Sequence, residues 1–284
     1  KHALPPFNRA DDNQNDVPDF IEQLANNIKV ADFIFSKALG LTPPLKSKRY
    51  SNNVFYIDFH IMSTNGFKGL TGDKPILYKY KQVKNVKSID IKLSNTLDTQ
   101  NLTPEHELFH QYQNGYAMFK NKWYKEGLAA WSEFAFGDGV GPEQDLPGDL
   151  DSLETLLSKS YAAKHFWNRL TRLCDGGKGH FEIPSEVTHL DKLTIVQDNR
   201  LNGFQFVKQF LSNLQLASLK LADDMGYSAY AWKGQQKAVE NDKYILCALK
   251  KTTQQNCKSA QANLELINFI QAVDNYTENT CLKL

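Results

Sequence analysis

The chain has 284 residues, 41% of them apolar, which is enough to bury one large domain or two lobes sharing a cleft. Its 33 basic and 32 acidic side chains nearly cancel, so charge gives no reason to expect nucleic acid or an anionic membrane surface as a partner. No apolar run approaches the roughly 20 residues that span a bilayer. The chain opens on Lys1 rather than Met, which fits removal of an upstream segment such as a signal peptide.

Residues 1–18 are polar, with an acidic cluster at Asp11, Asp12 and Asp16. Asp11, Asn13, Asn15, Val17, Asp19 and Glu22 fall at positions 1, 3, 5, 7, 9 and 12 of an EF-hand-type loop, and their hard oxygens suit Ca²⁺. Asp16 stands where such a loop takes Gly, and no helix precedes it. The other reading is therefore a solvated acidic linker whose Asp19 caps the next helix. Apolar residues at helical intervals predict that helix over Phe20–Leu39, stopped by Gly40 and the Pro43–Pro44 pair. Three strands are predicted at Asn53–Met62, Lys74–Tyr80 and Ser88–Leu93, with Pro75 marking an edge or a strand start. The Gly69-Leu70-Thr71-Gly72 segment is a candidate border of an edge strand, whose free backbone would pair with an extended peptide.

Thr103 and Pro104 read as N-cap and first residue of a helix that runs to Asn114 and stops at Gly115. A second helix is expected over Lys122–Phe136, ending at Gly137, followed by a Gly/Pro/Asp-rich loop to Gly148. Beyond it the pattern is helical over Leu153–Cys174, Gly203–Leu219, Tyr227–Lys250 and Ala260–Val273. The aromatic run Trp123, Tyr124, Trp131, Phe134 and Phe136 reads as helix packing between lobes rather than a binding platform. His2, His60, His180 and His189 lack ligand spacing and read as surface or core histidines.

His106-Glu107-Leu108-Phe109-His110 is an H-E-x-x-H pattern on a predicted helix. Residues four apart share a helical face, so both imidazoles can reach one ion, and Glu107 can take a proton from water beside it. With seven histidines and twelve glutamates in the chain, fewer than about 0.01 such matches are expected by chance. Catalytic zinc takes three protein ligands and keeps one position open. The third candidate is Glu126, on the next predicted helix beyond the turn at Gly115; the alternative is a solvent-facing glutamate beside Lys125.

HELFH followed by Trp123-Tyr124-Lys125-Glu126-Gly127-Leu128-Ala129-Ala130-Trp131-Ser132-Glu133 resembles the gluzincin zinc metallopeptidases, whose pattern is H-E-x-x-H, a gap, then N-E-G-x-A-x-x-x-E. The resemblance implies a zincin-like α+β fold of two lobes. These would be a strand-rich N-terminal lobe with the active-site helix over 1–120, and a mainly helical C-terminal lobe over 121–284. It implies Glu126 as third zinc ligand and Glu133 as a carboxylate orienting a ligand imidazole. Lys125 replaces the usual Asn, the gap is shorter than in aminopeptidase members, and no G-x-M-x-N element occurs upstream. A looser likeness, from the acidic loop through the strands to a Tyr-bearing helix, is to secreted bacterial metallopeptidases of poorly defined substrate. In gluzincins a downstream Tyr or His donates to the developing oxyanion. The segment Ser160–Trp167 resembles the helix carrying it, which implies Tyr161, with His165 in reserve and an ordinary core tyrosine as the other reading.

Cys174, Cys247, Cys257 and Cys281 form no CxxC pair. Two disulfides in an oxidising compartment, and hence a secreted or periplasmic protein, are expected over four free cytosolic thiols. Of three pairings, short-loop closure favours Cys247–Cys257 with Cys174–Cys281. The expected activity is zinc-dependent endopeptidase cleavage of a peptide or protein lying across a cleft between the lobes. The alternatives are an aminopeptidase, or a zincin-like binding or adhesion module without turnover.

Overall fold

Asp19 and Glu22 place negative charge at the N-terminus of the first helix, where the helix dipole favours it, and Phe20, Leu24, Val30 and Ala31 line its buried face. In the computed structural model this helix, α1, spans Asp19–Phe33. A single π-helical stretch, Ile34–Ala38, carries the chain on to Gly40, whose φ of +65° makes the predicted stop. The structure describes residues 4–80, 83–137, 141–175, 179–184, 188, 195–196, 199–257, 262–278 and 280–283. The chain has both helices and a mixed sheet, an α+β protein, and it divides into two compact units.

The first unit comprises Lys1–Gly115 and Glu182–Gln197. Its sheet is built on β4 (Val83–Ser94), longer than the predicted Ser88–Leu93. Strand β1 (Tyr56–Met62) pairs with it in parallel, from Tyr56↔Ser88 to Met62↔Ser94. On the other side β2 (Gly69–Thr71) and β3 (Ile76–Tyr80) pair antiparallel with successive parts of β4. Side chains alternate across a strand. Ile89, Ile91 and Leu93 are fully buried on one face, while Ser88, Asp90, Lys92 and Ser94 occupy the other.

Helix α2 (Thr103–Tyr116) is held to this sheet by hydrogen bonds as well as apolar packing. Gln111 Nε2 donates to the carbonyls of Gly72 and Asp90, at 2.8 and 3.1 Å. Arg49 donates to the Asn114 carbonyl at 2.9 Å, placing a cation at the helix C-terminus, and is fixed there by a buried ion pair with Asp73 at 2.7 Å. Phe35 packs edge-on against Phe109 and Tyr112. Two local expectations are corrected here. Thr103 is the first helical residue rather than the cap, and its hydroxyl is spent on Asn101 Oδ1 at 2.6 Å. Gly115 does not end the helix; a Cβ there would stand 3.1 Å from Ser47 Cβ, so the glycine allows close packing.

The second unit comprises Tyr116–Phe181 and Asp198–Leu284. Its helices are α3 (Lys122–Ser132), α4 (Leu150–Leu157), α5 (Lys164–Asp175), α6 (Phe204–Asp224), α7 (Asn241–Asn256) and α8 (Leu264–Thr277). The predicted Leu153–Cys174 helix is thus two helices, parted around a 3₁₀ turn at Tyr161–Ala163, and α7 begins well after the expected Tyr227. The aromatic run builds this unit's own core: Trp123 stacks on Trp167 at 5.8 Å with rings near parallel, and Tyr124 and Trp167 meet Phe210. No helix among the described residues is long and apolar enough to cross a membrane.

The disulfides are Cys174–Cys257 and Cys247–Cys281, with Cα separations of 4.3 and 5.1 Å. This corrects the expected Cys247–Cys257 pairing. Cys247 lies within α7 and Cys257 follows its last residue, so the intervening helix holds them about 15 Å apart. A disulfide spans only about 4.4–6.8 Å between Cα atoms, and no gain in loop entropy bends a helix that far.

Asp242, in the first turn of α7, accepts from Trp123 Nε1 at 2.7 Å and Asn121 Nδ2 at 2.8 Å. Burial outweighs these bonds and pushes its carboxyl up to about 6. The folded chain therefore binds a proton that the unfolded chain releases between about pH 6 and pH 4. Asp242 costs stability at neutral pH, by up to about 3 kcal/mol, and that cost is relieved as pH falls through this window. Asp242→Asn keeps an acceptor for Trp123 without the charge. The melting temperature of wild type should rise relative to Asp242→Asn between pH 7 and pH 4; a pH-independent difference would contradict the assignment.

Candidate metal centre

His106 and His110 are one turn apart on α2, and both are buried. Their rings lie 4.6 Å apart between centroids and nearly perpendicular. His110 Nδ1 stands 2.8 Å from Gln113 Oε1. An amide oxygen only accepts, so Nδ1 donates to it, and Nε2 is the ring nitrogen left for a metal. Glu126, half-buried on α3, completes the group: His106, His110 and Glu126 each offer one ligand atom, all within 4.8 Å of one another. Two imidazoles and a carboxylate form a donor set that could hold a metal ion, and the residues fit one. Among the described residues no other such group of His, Cys, Asp or Glu occurs.

Glu107 is buried beside His106, and β2 accounts for its placement. The Thr71 hydroxyl lies 2.6 Å from Glu107 Oε2 and 2.8 Å from the Glu107 carbonyl. Gly69 passes so near that a Cβ would stand 2.6 Å from Glu107 Cγ and 2.4 Å from Thr103 Cγ2. Gly127, next to Glu126, has the same character, since a Cβ there would meet Ala163 Cβ at 2.6 Å and the Trp167 ring at 3.2 Å.

That contact seats the Tyr161–Ala163 turn on α3 one residue from Glu126. Tyr161 itself lies on the 3₁₀ turn rather than within a helix and is 57% exposed. His165, half-buried in the first turn of α5, bonds the Pro142 carbonyl through Nδ1 at 3.0 Å. Glu133 follows the last residue of α3 and opens a 3₁₀ turn. His60 sits on β1 and His180 bridges to Arg200 outside the named strands, while His2 and His189 lie outside the described residues.

The Asp11–Glu22 loop closes on itself. Asp11 accepts from the backbone N–H groups of Asn15 and Asp16, and Asp19 from that of Asp12. Asn13 and Asn15 donate to the two Glu22 oxygens, at 2.9 and 2.7 Å. Val17 donates its N–H to Asn15 Oδ1 at 2.8 Å. Asp16, where glycine was expected, takes φ +67°. A calcium site there rests on the sequence spacing alone.

Thr71, Gly69 and Gln113 are the residues that the sequence reading did not assign to the centre. Gln113 carried a signal, being a polar side chain one turn beyond a ligand; Thr71 is visible only once the sheet is folded. Compared with known proteins, the chain matches no family model, no curated protein and no solved structure.

Replacing Gln113 with Leu leaves His110 Nδ1 without its acceptor. Metal affinity, measured by competition with a chromophoric chelator, should fall about 10- to 100-fold. Glu126→Ala should weaken it further, and unchanged affinity in both variants would remove the centre.

Proposed function

We propose that the chain is a zinc-dependent peptidase of the gluzincin type, with a zincin-like fold, acting on internal bonds of polypeptides. The observation that carries this reading is the convergence of His106, His110 and Glu126 on one another, with Glu107 buried beside them on α2. Zinc held by the three groups would supply Lewis acidity to the scissile carbonyl.

The chain's own residues then have distinct tasks. Glu107 takes the proton of the attacking water and returns it to the leaving amine. Gln113 keeps the His110 ring in the tautomer that can bind. Tyr161 donates to the oxygen that gains charge in the transition state, and Glu133 orients a ligand imidazole. The edge strand β2 supports an extended substrate, because among the described residues β4 is its one strand partner, and its other side would offer backbone groups for strand addition. Two disulfides support a secreted or periplasmic location, where such bonds persist.

Glu107→Gln preserves the size of the side chain and removes the base. Cleavage of a mixed peptide library should drop about 10²–10⁴-fold, while elemental analysis still finds one zinc per chain. Full activity in this variant would exclude Glu107 as the proton carrier. Comparing blocked with unblocked peptides separates endopeptidase from aminopeptidase action.

The acidic loop is proposed as a second, calcium site. With the zinc centre kept saturated, millimolar CaCl₂ should raise the melting temperature by a few degrees, as mass action requires of a cation that binds the folded state. Coincident melting curves would leave the loop as a self-bonded linker.

A further inference from the structure

The three residues of β2 divide between the two faces of the sheet. Gly69 and Thr71, two apart, pair with Leu93 and Ile91, whose side chains are buried; Leu70 pairs with Lys92 and is half exposed. Both inward positions meet the same side chain. Thr71 brings its hydroxyl within 2.6 Å of Glu107 Oε2, and Gly69 leaves room in which the Glu107 carboxylate lies, 2.7 Å from where a Cβ would stand.

The hydroxyl has a single proton and two oxygens of Glu107 within reach. The Glu107 carbonyl lies inside α2, where the helical N–H four residues on is its regular donor. The carboxylate oxygen is the nearer of the two, at 2.6 Å against 2.8 Å, and it has no helical donor of its own to compete, so it takes the proton.

We propose that Thr71 is the positioning residue for Glu107. Its hydroxyl fixes the rotamer of the carboxylate, and Gly69 keeps the strand close enough for it to do so. This deepens the peptidase reading and rests on it for the role of Glu107 in proton transfer. On that reading, the strand whose backbone receives the substrate also aims the base.

The test compares Thr71→Val, which keeps the β-branched shape and deletes the hydroxyl, with Thr71→Ser, which keeps the hydroxyl. In zinc-loaded protein, Thr71→Val should lower kcat about 10- to 100-fold with KM within about twofold of wild type, because orientation is lost and binding is not. Thr71→Ser should recover kcat to within about threefold. Equal losses in Val and Ser, or a loss carried by KM alone, overturn the proposal.

A second readout needs no turnover. In metal-free protein, a double-mutant cycle of Thr71→Val with Glu107→Ala, followed by urea unfolding, should show coupling of about tenfold in the unfolding equilibrium constant. Additivity within about twofold would mean that the hydroxyl does not hold the carboxylate. If zinc-loaded wild type cleaves no peptide, the peptidase reading fails, and the cycle still decides whether Thr71 holds Glu107.

Discussion

Helix α2 buries seven polar side chains: Glu105, His106, Glu107, His110, Gln111, Gln113 and Asn114. Taking polar groups from water without partners costs several kcal/mol each on the least forgiving scale, so a helix of this composition is stable only where hydrogen bonds replace hydration. Much of the first unit answers that demand. The Gln111 Nε2 group donates to the carbonyls of Gly72 and Asp90, Gln113 meets the His110 ring, Glu107 accepts from Thr71, and Arg49 donates to the helix C-terminus. An apolar helix would pack on the same sheet with no such network. On the proposed peptidase reading, that polarity is the cost in stability of carrying the metal-binding and proton-transfer groups on this helix.

How much of this was legible in the sequence depends on whether a signal is local. The His106–His110 spacing and the helix beneath it follow from one turn of geometry and survive any tertiary context. The three longer strands were readable from β-branched and aromatic runs, with ends misplaced by a few residues; β4 starts at Val83 rather than Ser88. Strand β2 is only three residues long, too short for alternation to be seen, and exists because β4 offers it a ladder at Ile91–Leu93. Thr71 could not be tied to Glu107 before that ladder was known. The cysteines show the opposite failure. A short loop favours Cys247–Cys257 by entropy, but α7, whose apolar spacing shows around Cys247, is too rigid to bring the two cysteines together.

The break between α4 and α5 was not legible either. No Pro or Gly falls between Leu153 and Cys174, and the apolar spacing reads through. The chain nevertheless leaves the helix at Ser158, whose hydroxyl bonds back to the Thr155 carbonyl. Serine offers the backbone such local alternatives, and here they coincide with the packing of Ala163 on α3. Tyr161 is consequently carried on a turn, where its direction depends on neighbouring contacts rather than on a helical register.

The position of Glu126 is likewise set by its neighbours. Trp123 and Tyr124 anchor one side of α3 in the aromatic core, with the Trp123 carbonyl accepting from Trp167 Nε1 at 3.1 Å. At Gly127 the backbone of α3 closes on Ala163 and Trp167 with no room for a Cβ. A larger residue at 127 would push either α3 or the 161–163 turn aside, so packing alone requires the glycine beside Glu126. The same close approach couples two candidate functional groups. Whichever side gave way, Glu126 or Tyr161 would move with it, and interiors packed this tightly transmit such shifts rather than absorb them.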